Sequence, residues 1–204
     1  MIIFYQMYSE SPHIRKISIM LEEISLPYIT KRIEKLSNGQ FPDDFLAINP
    51  NGTVPAIVDT DTGTVIFESG AILYYLAEKT KKLLPIKLPS RAEVIKWLMF
   101  EVANMGPTMV ELYHYLLLDS EEIYAPILQR YKGKLTRYCD ILEDQLGGRE
   151  YLCGDFSIAD IALYPWSAIL EDMADIKLSD YPNLTRWTTL ISKRPALQPL
   201  PSTR

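Results

Sequence analysis

The chain has 204 residues, 48% hydrophobic and 23% charged, which suits one large soluble domain or two small ones with a core that needs no staples. A net charge of −5 without a sizeable basic cluster argues against nucleic acid as a direct ligand. No apolar stretch reaches the roughly 20 residues that cross a bilayer, so no membrane partner is expected. Two isolated cysteines, Cys139 and Cys153, and two scattered histidines offer neither a disulfide framework nor metal-ligand spacing; with no secretory leader pattern at the N-terminus, they point to a reducing, cytoplasmic setting and no metal.

"MIIFYQM" reads as a strand. Behind it lies the polar stretch Tyr8 to Lys16, "YSESPHIRK", in which Ser9 and Glu10 read as loop residues. Ser11-Pro12 has the form of a helix start, with Ser at the cap and Pro at the first helical position. Ile14, Ile17, Met20 and Leu21 then recur at helical spacing. "PYITKRIE" is a second strand, and "DDFLAIN" a short helix that stops at the turn Asn49-Pro50-Asn51-Gly52. "VPAIVDT" and "TVIF", divided by an Asp/Thr/Gly turn, form a hairpin, and Glu68-Ser69-Gly70 opens a helix running to about Lys79. The order is β-α-β-α-β-β-α.

"KKLLPIKLPS" carries two prolines and marks a linker, so residues 1–80, 81–90 and 91–204 are expected as first domain, linker and second domain. Beyond Arg91 the pattern is helical throughout. "AEVIKWLMFEVANMGPTMVELYHYLLL" is a long helix disturbed near Gly106-Pro107, and "EIYAPILQRYKGKLTRYCDILEDQL" is a second, ended by Gly147-Gly148. "SIADIALYPWSAILEDM" opens on Ser157 with Asp160 three residues later, a variant capping box, and "YPNLTRWTTLISKRP" is the last helix. Trp166 and the aromatic run Tyr113, His114, Tyr115 are read first as core, with an apolar substrate pocket as the alternative.

Two short stretches of the first domain could carry chemistry. Proline cannot donate to a ladder, so Val54-Pro55 belongs at a strand start. An ordinary trans bond is the commoner case, whereas a cis bond would leave the Val54 amide and carbonyl facing outward to clasp an extended peptide. In "FESGAI", Ser69 either caps its own helix or, with the free amides of the first turn, binds a ligand carboxylate while Glu68 pairs with an amine. Ser11 is not a self-sufficient nucleophile: the nearby imidazole, His13, is two residues on, and such neighbours do not face each other on a helix.

The set "SPHIRKISIMLEE", "NPNGTVPAIVD", "FESGAILYYLAEK" and "YLCGDFSIADIALYPW", in this order and spacing, resembles the glutathione transferase family over essentially the whole chain, and "KWLMFEVANMGP" resembles a stretch of its bacterial nu class. That resemblance implies an α/β thioredoxin-like N-terminal domain followed by an all-α C-terminal domain, in a homodimer that takes glutathione as co-substrate, reduced or oxidised. It further implies that Val54, before a cis-Pro55, holds the cysteinyl backbone of glutathione, that Glu68 and Ser69 hold its γ-glutamyl group, and that Gln40 and Arg130 lie near the tripeptide.

Ser11 stands where nu-class proteins carry the threonine of T-P-N-G-x-K, and His13 replaces the asparagine of that motif. Thr53 takes the place of a common Lys or Arg. The nucleophile is then borrowed: a thiol with pKa near 8.5 is only a few per cent ionised at pH 7, and a hydroxyl donating to sulfur at a helix N-terminus favours the thiolate. Ser11, with His13 as a second donor, is the expected catalytic pair; plain N-capping is the rival role for Ser11, and an exposed helix-entry residue the rival for His13. The expected activity is attack of glutathione thiolate on a small electrophile or a disulfide, by conjugation, disulfide reduction or peroxidase-like chemistry, with detoxification as its setting. The alternative is a non-catalytic binding module in a protein assembly.

Overall fold

The first apolar run, with Ile2, Phe4 and Tyr5 buried, forms strand β1 (Ile2–Gln6) in the computed structural model, which describes residues 1–7, 11–118 and 121–198. Tyr8, Ser9 and Glu10 lie outside the described residues, so the polar run is followed from Ser11 onward. The chain divides into two compact units, residues 1–84 and 85–204.

In the first unit, helix α1 (Pro12–Ile24) starts on Pro12, whose ring presets helical φ and whose missing N–H is not needed there. It buries Ile14, Ile17, Met20, Leu21 and Ile24, and ends at Ser25 in the left-handed conformation. β2 (Tyr28–Arg32), α2 (Asp43–Leu46), β3 (Ala56–Asp59), β4 (Thr64–Phe67) and α3 (Ser69–Thr80) follow. The sheet order is β2-β1-β3-β4, with β1 parallel to β2 and β3 antiparallel to both its neighbours. Helices α1 and α3 pack together, and on them Ile17, Met20, Ile72 and Leu76 are fully buried. This is the thioredoxin-like arrangement.

The second unit is helical: α4 (Leu88–Phe100), α5 (Gly106–Leu116), α6 (Glu121–Leu146), α7 (Ile158–Ser167), α8 (Leu170–Ala174) and α9 (Pro182–Ser192). Helix α4 reaches back into the segment expected as linker, because Pro89 sits in its first turn, where proline starts a helix instead of ending one. The disturbance expected near Gly106-Pro107 is a π-helical turn over Glu101–Met105. Glu101 is buried there and its Oε1 accepts from Trp166 Nε1 at 2.7 Å. A Cβ on Gly106 would lie 2.7 Å from that same oxygen, so any larger residue would displace the Glu101 carboxylate. Trp166 is therefore core. The run expected as one helix from Ser157 divides after Ser167, whose Oγ donates back to the Leu163 carbonyl, and Ile169 leaves helical geometry at φ −116° and ψ 10°.

The capping box at α7 has both arms. Ser157 Oγ accepts from Ala159 N–H, and Asp160 Oδ2 accepts from the Ser157 amide at 3.0 Å. Asp160 is fully buried, and its Oδ1 also accepts from Leu152 N–H and Trp187 Nε1, so one carboxylate ties α7 to the preceding turn and to α9. Asp160→Ala strands several buried donors at once and is expected to lower unfolding free energy by about 3 kcal/mol, read from urea denaturation.

Candidate active site

The register of the sheet gathers the candidate residues. Tyr5 faces Ala56, and Ala56 faces Phe67, while Gln6 faces Arg32. Since β1, β2 and β4 run one way and β3 the other, a single end of the sheet holds the exits of β1, β2 and β4 and the start of β3. From that end β4 passes into Glu68-Ser69, β2 into the loop carrying Gln40, and Val54-Pro55 leads in. β1 also ends there, and α1 follows it from Ser11.

Beneath this edge lies a small apolar cluster of Tyr5, Ile33, Phe41, Phe45 and Ala56, against which Val54 and Phe67 pack. The Phe41 and Phe45 rings are 5.1 Å apart, and Phe45 and Tyr5 5.8 Å, which pins the Gln40 loop to the sheet. Within the loop, Gln40 is exposed and its Oε1 accepts from Asn38 Nδ2 at 3.0 Å.

The Val54-Pro55 bond is cis. The strand ladder begins only at Ala56, so the Val54 amide and carbonyl stand outside it at the edge. What shapes the approach is Asn49, a fully buried side chain whose Nδ2 donates to the Thr53 carbonyl at 2.6 Å and whose Oδ1 accepts from the Asn51 amide. Thr53 Oγ1 also takes a hydrogen bond from Asn49 Nδ2 at 3.2 Å. The sequence marked Asn49 only as part of a turn; its signal as a site-shaping residue is a buried amide at the turn's first position.

Glu68 is exposed and has φ +69° and ψ 115°, a backbone conformation that costs a non-glycine residue on the order of 1–3 kcal/mol and that persists where the surroundings enforce it. Ser69 is the first residue of α3, and its hydroxyl does not serve as an N-cap. It is met by two groups from α1: His13 Nδ1 at 3.3 Å and Lys16 Nζ at 3.5 Å. Lys16, which the sequence reading left without a role, is fully buried.

The Ser11 carbonyl accepts from the Ile14 and Arg15 amides at 3.0 Å, but the Ser11 hydroxyl makes no capping bond. Of the two roles open to it from sequence, capping is not the one its side chain fills. Arg130 lies exposed on α6 of the helical unit, beside Tyr131, whose ring stacks on Tyr115 of α5.

Burial first, and the Lys16 ammonium second, hold the His13 pKa down at about 4, so the ring is neutral at pH 7. The chain's own thiols are silent: burial and nearby carboxylates push Cys139 and Cys153 both up to about 12. Among the described residues no cluster of His, Cys, Asp and Glu could hold a metal ion, and no helix is long and apolar enough to cross a membrane.

This edge brings together the main chain beside a cis proline and the helix start at Ser69, with Ser11 at the start of α1. A model of the glutathione S-transferase N-terminal domain matches residues 10–79, and one of the glutathione S-transferase C-terminal domain matches residues 106–195. The chain belongs to the glutathione transferase family. It is 36% identical over 197 residues to the disulfide-bond oxidoreductase YfcG of Escherichia coli K12, covering 93% of this chain and 90% of that one. A glutathione transferase family member from Pseudomonas fluorescens, solved with two glutathione molecules bound, superposes with a TM-score of 0.86 at 33% identity, over 96% of this chain and 90% of the other. One from Pseudomonas putida, with one glutathione disulfide bound per subunit, gives 0.84 at 29% identity, over 97% and 89%.

A histidine whose folded pKa is depressed stays neutral in the native state while the unfolded chain takes up a proton, so stability is lost as pH falls through the window from about 6.5 to about 4. The change is on the order of 3 kcal/mol, and His13→Gln is expected to flatten that limb in urea unfolding measured across this pH range.

Proposed function

We propose that this protein binds glutathione along the sheet edge of its N-terminal unit and uses the glutathione thiolate chiefly to attack disulfide sulfur, with attack on electrophilic carbon as the lesser activity. The observation that carries the reading is the convergence, at one end of the sheet, of the cis Val54-Pro55 main chain, Glu68-Ser69 and a Ser11 hydroxyl not engaged in capping.

In this reading the Val54 amide and carbonyl pair with the cysteinyl backbone of the tripeptide like an added strand. The γ-glutamyl carboxylate takes the Ser69 hydroxyl and the first amides of α3, where the helix dipole favours a negative charge, and Glu68 takes the ammonium. Gln40 lies on the loop beside the same edge. Ser11 donates to the sulfur at the start of α1, with His13 beside it on the same first turn. One pKa unit of thiol depression corresponds to about 1.4 kcal/mol, within reach of a charge-assisted hydrogen bond and a helix terminus together.

Glutathione thiolate attacks one sulfur of the disulfide, forms a mixed disulfide and expels the other as thiolate; a second glutathione resolves the mixed disulfide into oxidised glutathione and free thiol. No protein cysteine takes part, which fits a chain whose two thiols are both held near pKa 12. The relatives solved with two glutathione molecules or with glutathione disulfide support disulfide chemistry over simple conjugation. The protein is further proposed to act in the cytoplasm as a homodimer.

Ser11→Ala is expected to keep glutathione affinity within a few-fold and unfolding stability unchanged, while turnover of a small alkyl disulfide falls roughly 100-fold. Steady-state kinetics with a glutathione titration by calorimetry reads both; full turnover in the variant sinks the assignment of Ser11.

A further inference from the structure

Lysine is almost never fully buried without a reason, and Lys16 is fully buried on the face of α1 that meets the start of α3. Its ammonium has three donors and no acceptor, whereas the Ser69 hydroxyl has one proton and two lone pairs. In donating to Ser69 Oγ, Lys16 takes one lone pair whatever else occupies the site. The second contact of that oxygen is His13 Nδ1, and in the Nε2–H tautomer of the neutral ring Nδ1 accepts the hydroxyl proton.

A carboxylate arriving at Ser69 is a stronger acceptor than a neutral ring and takes that proton. Nδ1 can then keep its contact with Ser69 only by becoming an N–H donor to the remaining lone pair, with the Nε2 proton exchanged to solvent in return. The carboxylate itself, within about 2.7 Å of Ser69 Oγ, lies at most about 6 Å from the buried ammonium.

We propose that Lys16 is a positioning residue that turns the Ser69 hydroxyl toward the α-carboxylate of the bound γ-glutamyl group, and that filling this subsite switches His13 from acceptor to donor at Nδ1. The glutamyl end of the site thereby sets the state of the side chain beside the sulfur. The inference rests on the reading of Ser69 as the carboxylate's partner.

The test uses the full protein, glutathione, and 4-aminobutyryl-cysteinylglycine, which lacks only the α-carboxylate. The chain has two histidines, so ring ¹⁵N spectra resolve His13 once His114→Gln assigns the other signal. Glutathione is expected to move the His13 Nδ1 resonance from the pyridine-like toward the pyrrole-like end, and the carboxylate-free analogue to leave it in place. Lys16→Met is expected to weaken glutathione roughly 10- to 100-fold, the range a charge about 6 Å away supplies at an effective dielectric near 20. The same variant should change analogue affinity less than about threefold, and Lys16→Arg should restore part of the loss.

Glutathione binding with a static His13 signal overturns the proposal, as does a Lys16→Met variant that weakens both ligands alike, which marks a purely structural lysine. The wild-type spectra decide the matter even where the variants fold poorly. Failure of the wild-type protein to bind glutathione at all is a separate outcome, and it overturns the functional reading together with this inference.

Discussion

The pairing of Tyr5 with Ala56 and of Ala56 with Phe67 places three chain segments, distant in sequence, on one edge of one sheet. A slip of one residue in either pairing would turn every side chain of the strand to the opposite face and carry the Val54-Pro55 corner away from the start of α3. The apolar cluster of Tyr5, Phe41, Phe45 and Ala56 holds this register from below, and it also anchors the loop that carries Gln40. Packing thus fixes the site before any polar contact contributes, and the polar contacts refine it.

The refinement is electrostatic. Two α1 side chains, His13 and Lys16, converge on one hydroxyl at the start of α3, and burial keeps the imidazole neutral. Hydroxyl groups and main-chain amides offer hydrogen bonds to a thiolate, and an imidazole held neutral beside them carries no acidic proton to lose to it. The chain's own thiols lie in the helical unit, where burial and nearby carboxylates keep them protonated. In the proposed reaction the sulfur therefore comes from the ligand.

Much of the fold was legible because local rules and tertiary packing agree. The strands of the first unit, the hairpin and the capping box at Ser157 and Asp160 all stand where the pattern put them. Departures occur where one residue type serves two purposes. Pro89 reads as a breaker and starts a helix; Gly106-Pro107 reads as an interruption and is the end of a π-turn that seats Glu101 against Trp166. Ser11 could not be resolved from sequence, since a capping serine and a sulfur-donating serine occupy the same position and differ only in where the hydroxyl bonds. Burial first and Lys16 second lower the His13 pKa, and the burial belongs to the tertiary fold. Lys16 and Asn49 were missed for a common reason: their burial arises from the tertiary fold, and the partner of Lys16 is 53 residues away in sequence. The signal that was available for Lys16 is a cation set among Ile14, Ile17, Ile19 and Met20.

The account turns on a thiolate that the protein makes from a bound thiol. The direct measurement is an ultraviolet titration of the thiolate band of glutathione bound to the wild-type protein and to Ser11→Ala. The account predicts a bound-thiol pKa well below the ordinary value near 8.5 in the wild type and a return toward it in the variant. A bound thiol that titrates at its ordinary value in the wild-type protein contradicts it.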